Sequence, residues 1–287
     1  MTSSRTLPHL NFLKATLSEL FGTFDIIASQ HMFPYIRQVA IHLRNAITAK
    51  SPESQLVIYN WQYVHCLDFF STMLGQLVGA KNDSPLHALV FPVTQIILGT
   101  INLDPSSQYF PLRFYLTDSL LRLSQETGVQ VDFAQTLLQP LDSPLLTTAH
   151  PKKKSEKAVL IDFNVTLKVS SSDLAGSAAR IYRDQVASRL ESSLTQYFNL
   201  YTLNPAFPEL ATPSVSAIRE WIEKNGDNCG SKVRRSLTGL VDKLEEHARW
   251  VEEKRKGMEF SAENFQSNRP IPDTEGGPLR EWMKSHI

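Results

Sequence analysis

The stretch LVFPVTQIILGTINLDPSSQYFPLRFY, residues 89–115, decides how the chain folds. Its first half belongs to a charge-free run, Ser84 to Leu103, in a chain whose 29 basic and 29 acidic residues balance. About 18 or more apolar residues suffice to span a bilayer. Polar residues, two prolines and a glycine interrupt this run, and a membrane span holds few such groups. The run therefore predicts an interior helix that neighbouring helices cover, and no membrane span.

Helical patterns continue on both sides of this stretch. The pairs Ser51-Pro52, Ser84-Pro85 and Asp104-Pro105 each place a capping side chain before a proline that suits the first helical turn. Apolar residues recur at helical spacing, for example Ile36, Val39, Ala40, Leu43 and Ile47. Successive amphipathic helices with short connections predict an all-α, HEAT/armadillo-like α-solenoid of helix pairs.

One segment departs from the helical period. Residues 159–169 alternate apolar and polar side chains, which predicts one extended strap or strand. The preceding residues combine prolines, hydroxyl groups and a lysine cluster, which is typical of an exposed loop. We therefore expect four parts: residues 1–140 as the N-terminal half of the solenoid, 141–174 as basic loop and strap, 175–256 as C-terminal helices, and 257–287 as an irregular tail.

No pattern in the sequence indicates catalysis. It lacks a phosphate loop, a nucleophile elbow and a paired-histidine zinc helix, so we expect no enzyme activity, cofactor, metal or small-molecule substrate. His65, Cys66 and Asp68 include nucleophile, base and carboxylate types, but the three do not share one helix face. They are better explained as a buried polar trio. Cys66 and Cys229 are expected to be unpaired thiols of a reducing compartment.

Candidate binding residues fall into two groups. Possible RNA contacts are the basic residues Lys152, Lys153, Lys154, Lys157, Arg234 and Arg235. The lysines equally suit a nuclear address or a solvated loop, and acidic residues alternate with the cations around the arginine pair. Possible partner-binding residues are Tyr35, Arg37, Arg44, Phe163 and Val165, of which the last two would pack on the helices or pair with a partner strand.

Four long motifs follow one another along the chain: YIRQVAIHLRNA at Tyr35 to Ala46, WQYVHCLDFF at Trp61 to Phe70, LVFPVTQIILGTINL with YFPLRFY in the opening stretch, and IDFNVTLKVSSSDL at Ile161 to Leu174. Together they resemble the nucleolar complex protein 2 family, assembly factors of the large ribosomal subunit. FPELATPSVSAIREWI and GGPLREWMKSHI are weaker matches. Family members also carry a long charged N-terminal region, so we expect this chain to be the C-terminal helical part of a larger protein.

The resemblance implies a non-catalytic scaffold of the nucleus and nucleolus. It also implies binding to sister nucleolar complex proteins 1 and 3 on pre-ribosomal particles, supporting their maturation and intranuclear transport. Two alternatives stay open: a helical-repeat module that binds rRNA directly, and a nuclear scaffold for transcription or chromatin cofactors.

Overall fold

A computed structural model describes residues 2–79, 84–149, 160–256, 271 and 277–286. These residues form α-helices and 3-10 helices and no strand, so the all-α prediction is confirmed for them. The α-helices are α1 (Leu7–Gly22), α2 (Asp25–Ala49), α3 (Pro52–Ile58), α4 (Trp61–Gly79), α5 (Val90–Asn102), α6 (Phe110–Thr127), α7 (Ala134–Leu138), α8 (Pro144–Thr147), α9 (Gly176–Asn199), α10 (Phe207–Asn225), α11 (Ser231–Arg255) and α12 (Gly277–His286). The 3-10 helices are Pro85–Leu89, Ser107–Tyr109 and Gln139–Asp142.

The chain divides into two compact units. The first contains Met1–Thr136 and Val159–Leu174, and the second contains Leu137–Ala158 and Ala175–Ile287. Helices α1 to α6 belong to the first unit, and α8 to α12 belong to the second. The four-part division expected from the sequence remains a prediction.

The charge-free run lies inside the first unit. It forms the 3-10 helix Pro85–Leu89 and α5, which contacts α2, α4 and α6. Pro85–Asn102 is long and apolar enough to cross a membrane, yet half of it is buried inside the protein. Its buried apolar side chains are Leu86, Leu89, Val90, Val93, Ile96, Ile97 and Ile101. This environment agrees with the predicted interior helix.

Two of the three predicted helix starts are found where the sequence places them. Ser51 begins α3 with a capping box, in which its Oγ accepts from the Ser54 N–H at 3.2 Å. Ser84 Oγ likewise accepts from the Leu86 N–H at 3.4 Å ahead of a 3-10 helix. Asp104 instead accepts from the Ser106 N–H at 2.9 Å, and the next helical element begins at Ser107. Its side chain closes a local turn rather than a helix.

The predicted strand is wrong for residues 160–169, which form no strand. The Asp162 side chain accepts from the Asn164 N–H at 2.9 Å, and the Asp162 carbonyl accepts from Thr166 at 3.1 Å. These bonds fold the chain into a turn, because the hydrogen bonds that an aspartate accepts from nearby main-chain N–H groups replace those of a β-ladder. The segment still covers α6: the rings of Phe163 and Phe114 lie 5.9 Å apart. The same segment also contacts the chain just before α6, where the Val169 N–H donates to the Gln108 main-chain carbonyl at 2.9 Å.

The second unit is built around aromatic side chains of α9 and α10. Tyr182, Tyr197, Phe198 and Phe207 are each at most 1 % exposed. Trp221 Nε1 donates to the Leu141 carbonyl at 2.7 Å, which ties α10 to the Gln139–Asp142 turn. Buried ring N–H groups require such a partner, so this bond fixes the segment ahead of α8.

The expected irregular tail contains a helix. Residues 277–286 form α12, whose Leu279 is fully buried, and α12 packs on α11. Gly277 begins it with φ of 72° and lies so close to His247 and Trp250 that a Cβ would come within 2.9 Å of both rings. Gly277 and Pro278 occupy the first two positions of the helix, where a positive φ and a missing N–H are tolerated.

Candidate protein-binding surface

A groove of about 500 Å³ lies between α1, α2, α3 and α4 in the first unit. Thirteen residues line it: Phe21, Met32, Tyr35, Gln38, Val39, His42, Val57, Asn60, Gln62, Tyr63, Cys66, Phe69 and Phe70. None of them is a lysine, arginine, aspartate or glutamate. The groove therefore suits an apolar segment with few polar contacts rather than an ion.

Helical periodicity places these side chains in line. On α2 the residues Met32, Tyr35, Val39 and His42 recur at three- and four-residue intervals, so they share one face. On α4 the residues Gln62, Cys66 and Phe69 do the same. The groove is the space left between these two faces.

Aromatic rings form much of the groove wall, and its edge reaches solvent. Phe21 and Phe69 meet edge to face with centroids 6.4 Å apart, and Met32 is buried beside them. Tyr35 is 65 % exposed and Val57 is 47 % exposed. Exposed aromatic and aliphatic side chains around a buried apolar floor are typical of a protein-binding site.

Helix α1 and the start of α2 expose further apolar side chains. Six large ones are at least half exposed there: Phe12, Leu13, Leu20, Phe24, Ile26 and Ile27. A fully exposed side chain of this size offers about 200 Å², so the set exposes on the order of 700 Å². Apolar areas of this size on a folded protein usually mark an interaction surface.

A buried polar cluster lies behind the groove. Asp68 on α4 is 5 % exposed and pairs with Lys14 of α1 and Arg122 of α6. Ser119 Oγ donates to Asp68 at 2.8 Å, and the Tyr115 hydroxyl donates at 3.2 Å. One carboxylate thereby ties three helices together.

His65 belongs to the same cluster, with its Nδ1 3.0 Å from Lys14 Nζ. Its ring stacks on Trp61 at 5.0 Å, and its Nε2 lies 2.9 Å from Thr2 Oγ1. Cys66 points away from the cluster and lines the groove. The expected polar trio is thus a pair, because residues 65 and 68 share a helix face and residue 66 does not.

Charge and burial set the pKa values in the cluster. Burial alone would raise the pKa of Asp68, but Lys14 and Arg122, with the bond from Ser119, hold it below its ordinary value. Burial and the neighbouring Lys14 ammonium lower the pKa of His65 to about 4. Burial raises the pKa of the Cys66 thiol. At neutral pH the cluster therefore holds a carboxylate, two cations and a neutral imidazole, and the thiol is protonated.

This arrangement predicts a loss of stability in mild acid. Between the unfolded pKa of about 6.5 and the folded value of about 4, the unfolded chain binds a proton at residue 65 that the folded chain does not. The free energy of unfolding therefore falls as pH drops through this range. Because His65 is only half-buried, we expect its share to be about 1–2 kcal/mol.

Urea unfolding at pH 7 and near pH 4.5, compared between the unsubstituted chain and His65→Gln, measures this share. The variant should lose less stability on acidification by about 1 kcal/mol. His247, whose pKa burial also lowers, contributes equally to both proteins. An identical loss in both would contradict the assignment to His65.

The predicted partner residues do not lie together. Tyr35 lines the groove, whereas Arg37 and Arg44 are exposed elsewhere on α2. Phe163 and Val165 are half-buried in the segment that covers α6. Of the predicted set, only Tyr35 was found in the groove.

The predicted RNA contacts are placed only in part. Arg234 and Arg235 are exposed near the start of α11. Lys152, Lys153, Lys154 and Lys157 lie outside the described residues. RNA contact through these six residues remains a prediction.

Sequence reasoning missed the groove itself. Its aromatic residues stand in helical segments, and a helical period does not separate a covered face from an open one. The sequence offered no signal beyond the helical spacing of Tyr35, Val39 and His42. Both cysteines are free, as expected, with Cys229 buried and Cys66 half-buried. The described residues contain no group of three metal-ligating side chains.

Comparison with known proteins gives one consistent family. The sequence model of the Noc2p family matches residues 1–286. A NOC2 family protein of Schizosaccharomyces pombe is 36 % identical over 91 % of this chain and 36 % of its own length. Nucleolar complex protein 2 of Drosophila melanogaster is 32 % identical over 88 % of this chain and 32 % of its own length.

A plant relative extends the comparison. Nucleolar complex-associated protein 2 of Arabidopsis thaliana is 28 % identical over 90 % of this chain and 33 % of its own length. The chain thus spans about a third of the length of these relatives. They are named as components of nucleolar complexes and not as enzymes.

Proposed function

The chain belongs to the Noc2p family, as its motifs predicted, and we propose that it is a non-catalytic scaffold in the biogenesis of the large ribosomal subunit. The names of its relatives support a location in the nucleus and nucleolus. In this proposal the chain binds sister nucleolar complex proteins 1 and 3 on pre-ribosomal particles and supports their maturation and transport within the nucleus.

The observation that carries this proposal is the open groove between α2 and α4. Burying its aromatic wall and exposed edge against a partner would stabilise a complex by about 25 cal/mol for each Å² of apolar surface. A chain that used this unit as an enzyme would need convergent reactive groups there. The groove offers instead neutral amides, an imidazole and a protonated thiol.

The partner segment that fits this groove is an amphipathic helix. The described part of the first unit has no strand, so a partner strand finds no sheet edge to extend. Side chains at three- and four-residue spacing on α2 and α4 match the ridges of a third helix. We therefore expect apolar anchors at positions i, i+3, i+4 and i+7 of the partner.

The solenoid arrangement belongs to the same proposal. Adjacent helices such as α10 and α11 pack on each other, as helix pairs of HEAT and armadillo repeats do. Extended arrays of this kind offer long binding surfaces with few specialised residues, which suits a scaffold.

Copurification with nucleolar complex proteins 1 and 3 tests the groove. We expect Tyr35→Glu combined with Val57→Glu to weaken the complex at least about tenfold, because two buried carboxylates would lose their hydration without gaining partners. Both side chains are exposed in the free chain, so the fold should remain intact. Affinity is measured with purified proteins by titration calorimetry.

Leu56→Glu is the matched control. Leu56 is 66 % exposed on the same helix as Val57 but does not line the groove. It should leave the affinity within about twofold. Equal affinity in the groove variant and the unsubstituted chain would refute the assignment of this groove, and absence of any complex with either sister protein would refute the scaffold proposal.

A further inference from the structure

Helix α1 packs with its polar side inward. Its buried residues are Lys14 and Ser18, whereas Phe12 is 74 % exposed, Leu13 55 % and Leu20 67 %. The pair between Lys14 and Asp68 fixes this rotation, because turning α1 to bury the leucines would remove the ammonium from its buried carboxylate. The apolar side of α1 is thus held outward.

Four leucines on this outward side follow a heptad spacing. Leu10, Leu13, Leu17 and Leu20 are separated by three, four and three residues, the a and d positions of a coiled coil. Leu13 and Leu20 are exposed, and Leu10 and Leu17 are half-buried. We call these four residues the leucine seam. A seam of this period is covered best by another helix, since each side chain then fits between four residues of the facing helix.

We propose that the leucine seam pairs with the same seam of a second copy of this chain, with the two α1 helices antiparallel. The spacing reads the same in both directions, so Leu10 faces Leu20 of the second copy and Leu13 faces Leu17. Each contact then occurs twice about a two-fold axis, as in most homodimers. This pairing goes beyond the proposed function and does not depend on it.

The charges at the two ends of α1 favour the antiparallel orientation. Arg5 precedes the helix, while Glu19 stands in its last turn and Asp25 follows it. Antiparallel pairing brings Arg5 of each copy to the acidic end of the other. Parallel pairing would place like charges and like helix ends together, which is less favourable.

No charge lies on the seam to oppose self-pairing. The residues beside the leucines on the open side are His9, Thr16 and Thr23, and none is an acid, lysine or arginine.

The sixteen residues of α1 give a contact of roughly 24 Å in length. The exposed apolar surface here is at the lower limit for a stable interface, so the dimer should be reversible at about micromolar concentration.

The seam adjoins the groove. Phe21 is the residue of α1 that lines the groove, and it lies four positions from Leu17, on the same side of the helix. The seam variants are therefore placed at Leu13 and Leu20, which do not line the groove. The two surfaces can be tested independently on one protein.

Sedimentation equilibrium of the purified chain tests the pairing. From about 1 to about 100 µM the mass should rise from 32.4 kDa toward twice that value. Leu13→Glu combined with Leu20→Glu should stay monomeric, with at least about tenfold weaker association, because it buries carboxylates at the seam. The control Leu56→Glu, on exposed α3 surface, should still dimerise. Circular dichroism verifies that all variants keep their helix content.

Disulfide cross-linking tests the orientation. Thr16 lies near the two-fold axis, so Thr16→Cys should form a covalent dimer on oxidation. Thr23→Cys should not, because in the antiparallel pair its two copies stand roughly 20 Å apart. Oxidation of the unsubstituted chain, in which Cys66 is half-buried and Cys229 is buried, measures how much covalent dimer forms without an added cysteine.

Three results would overturn the proposal. One is a monomer throughout the concentration range. Another is equal cross-linking through positions 16 and 23, which indicates a parallel pair. In the third, the unsubstituted chain stays monomeric and the variant Leu13→Glu with Leu20→Glu no longer binds a sister nucleolar complex protein. This result would assign the seam to that protein and not to a second copy.

Discussion

Replacing Asp68 with asparagine should reduce the free energy of unfolding by about 3–5 kcal/mol, because it leaves the buried Lys14 ammonium without its carboxylate. Lys14 is 9 % exposed and Asp68 is 5 % exposed, so water cannot substitute for the lost charge. The change keeps the side-chain shape, removes the charge and turns one acceptor oxygen into an N–H donor. Urea unfolding followed by circular dichroism at pH 7 measures the loss.

Two further variants separate charge from general sensitivity. Glu53→Gln removes an exposed carboxylate of α3 and should change stability by no more than about 0.5 kcal/mol. Adding Lys14→Met to Asp68→Asn removes one of the unpaired cations, so the double variant should be more stable than Asp68→Asn alone. A loss below about 1 kcal/mol for Asp68→Asn would show that the cluster does not hold α1, α4 and α6 together.

Gly79→Ala should destabilise the first unit by about 2–3 kcal/mol. A Cβ at residue 79 would overlap the main-chain oxygen of Glu126 and lie 3.1 Å from its carbonyl carbon. Main-chain atoms of α6 cannot rotate aside, so α4 and α6 would have to separate at this contact. The shift in the urea midpoint measures the cost.

Two other glycines provide matched comparisons. Gly75→Ala also meets Glu126, but through its side chain, which can rotate, so the loss should be smaller. Gly239 on α11 has no neighbouring atom within 4 Å of an added Cβ, and alanine there should stabilise the protein by about 0.5–1 kcal/mol. Equal effects at residues 79 and 239 would contradict the close-contact explanation.

Much of the helical structure could be predicted from local pattern. Residues 84–103 were expected to be interior because they lack charge, and they form a 3-10 helix and α5 against three other helices. Ser51 and Ser84 begin helical segments because hydroxyl caps and prolines act within one turn. The charge-free run and the helix caps depend on residues that are close together in the sequence. These neighbours are the same whatever the tertiary fold.

Local pattern failed where competing local bonds prevailed. Residues 160–169 alternate like a strand, but the Asp162 side chain closes a turn that alternation alone does not reveal. Residues 277–286 follow several prolines and glycines, yet Leu279 finds a buried place beside α11 and the segment is helical. In both segments a few specific contacts outweighed composition.

The sequence by itself determined that the chain is helical, which runs are sheltered, and to which family it belongs. Only the tertiary structure decided that Lys14 reaches Asp68, 54 positions away, and that Tyr35, Leu13 and Leu20 face outward. The physical reason is that spacing along a helix tells which residues share a face. Whether that face is covered depends on helices distant in sequence, whose contacts no local pattern contains.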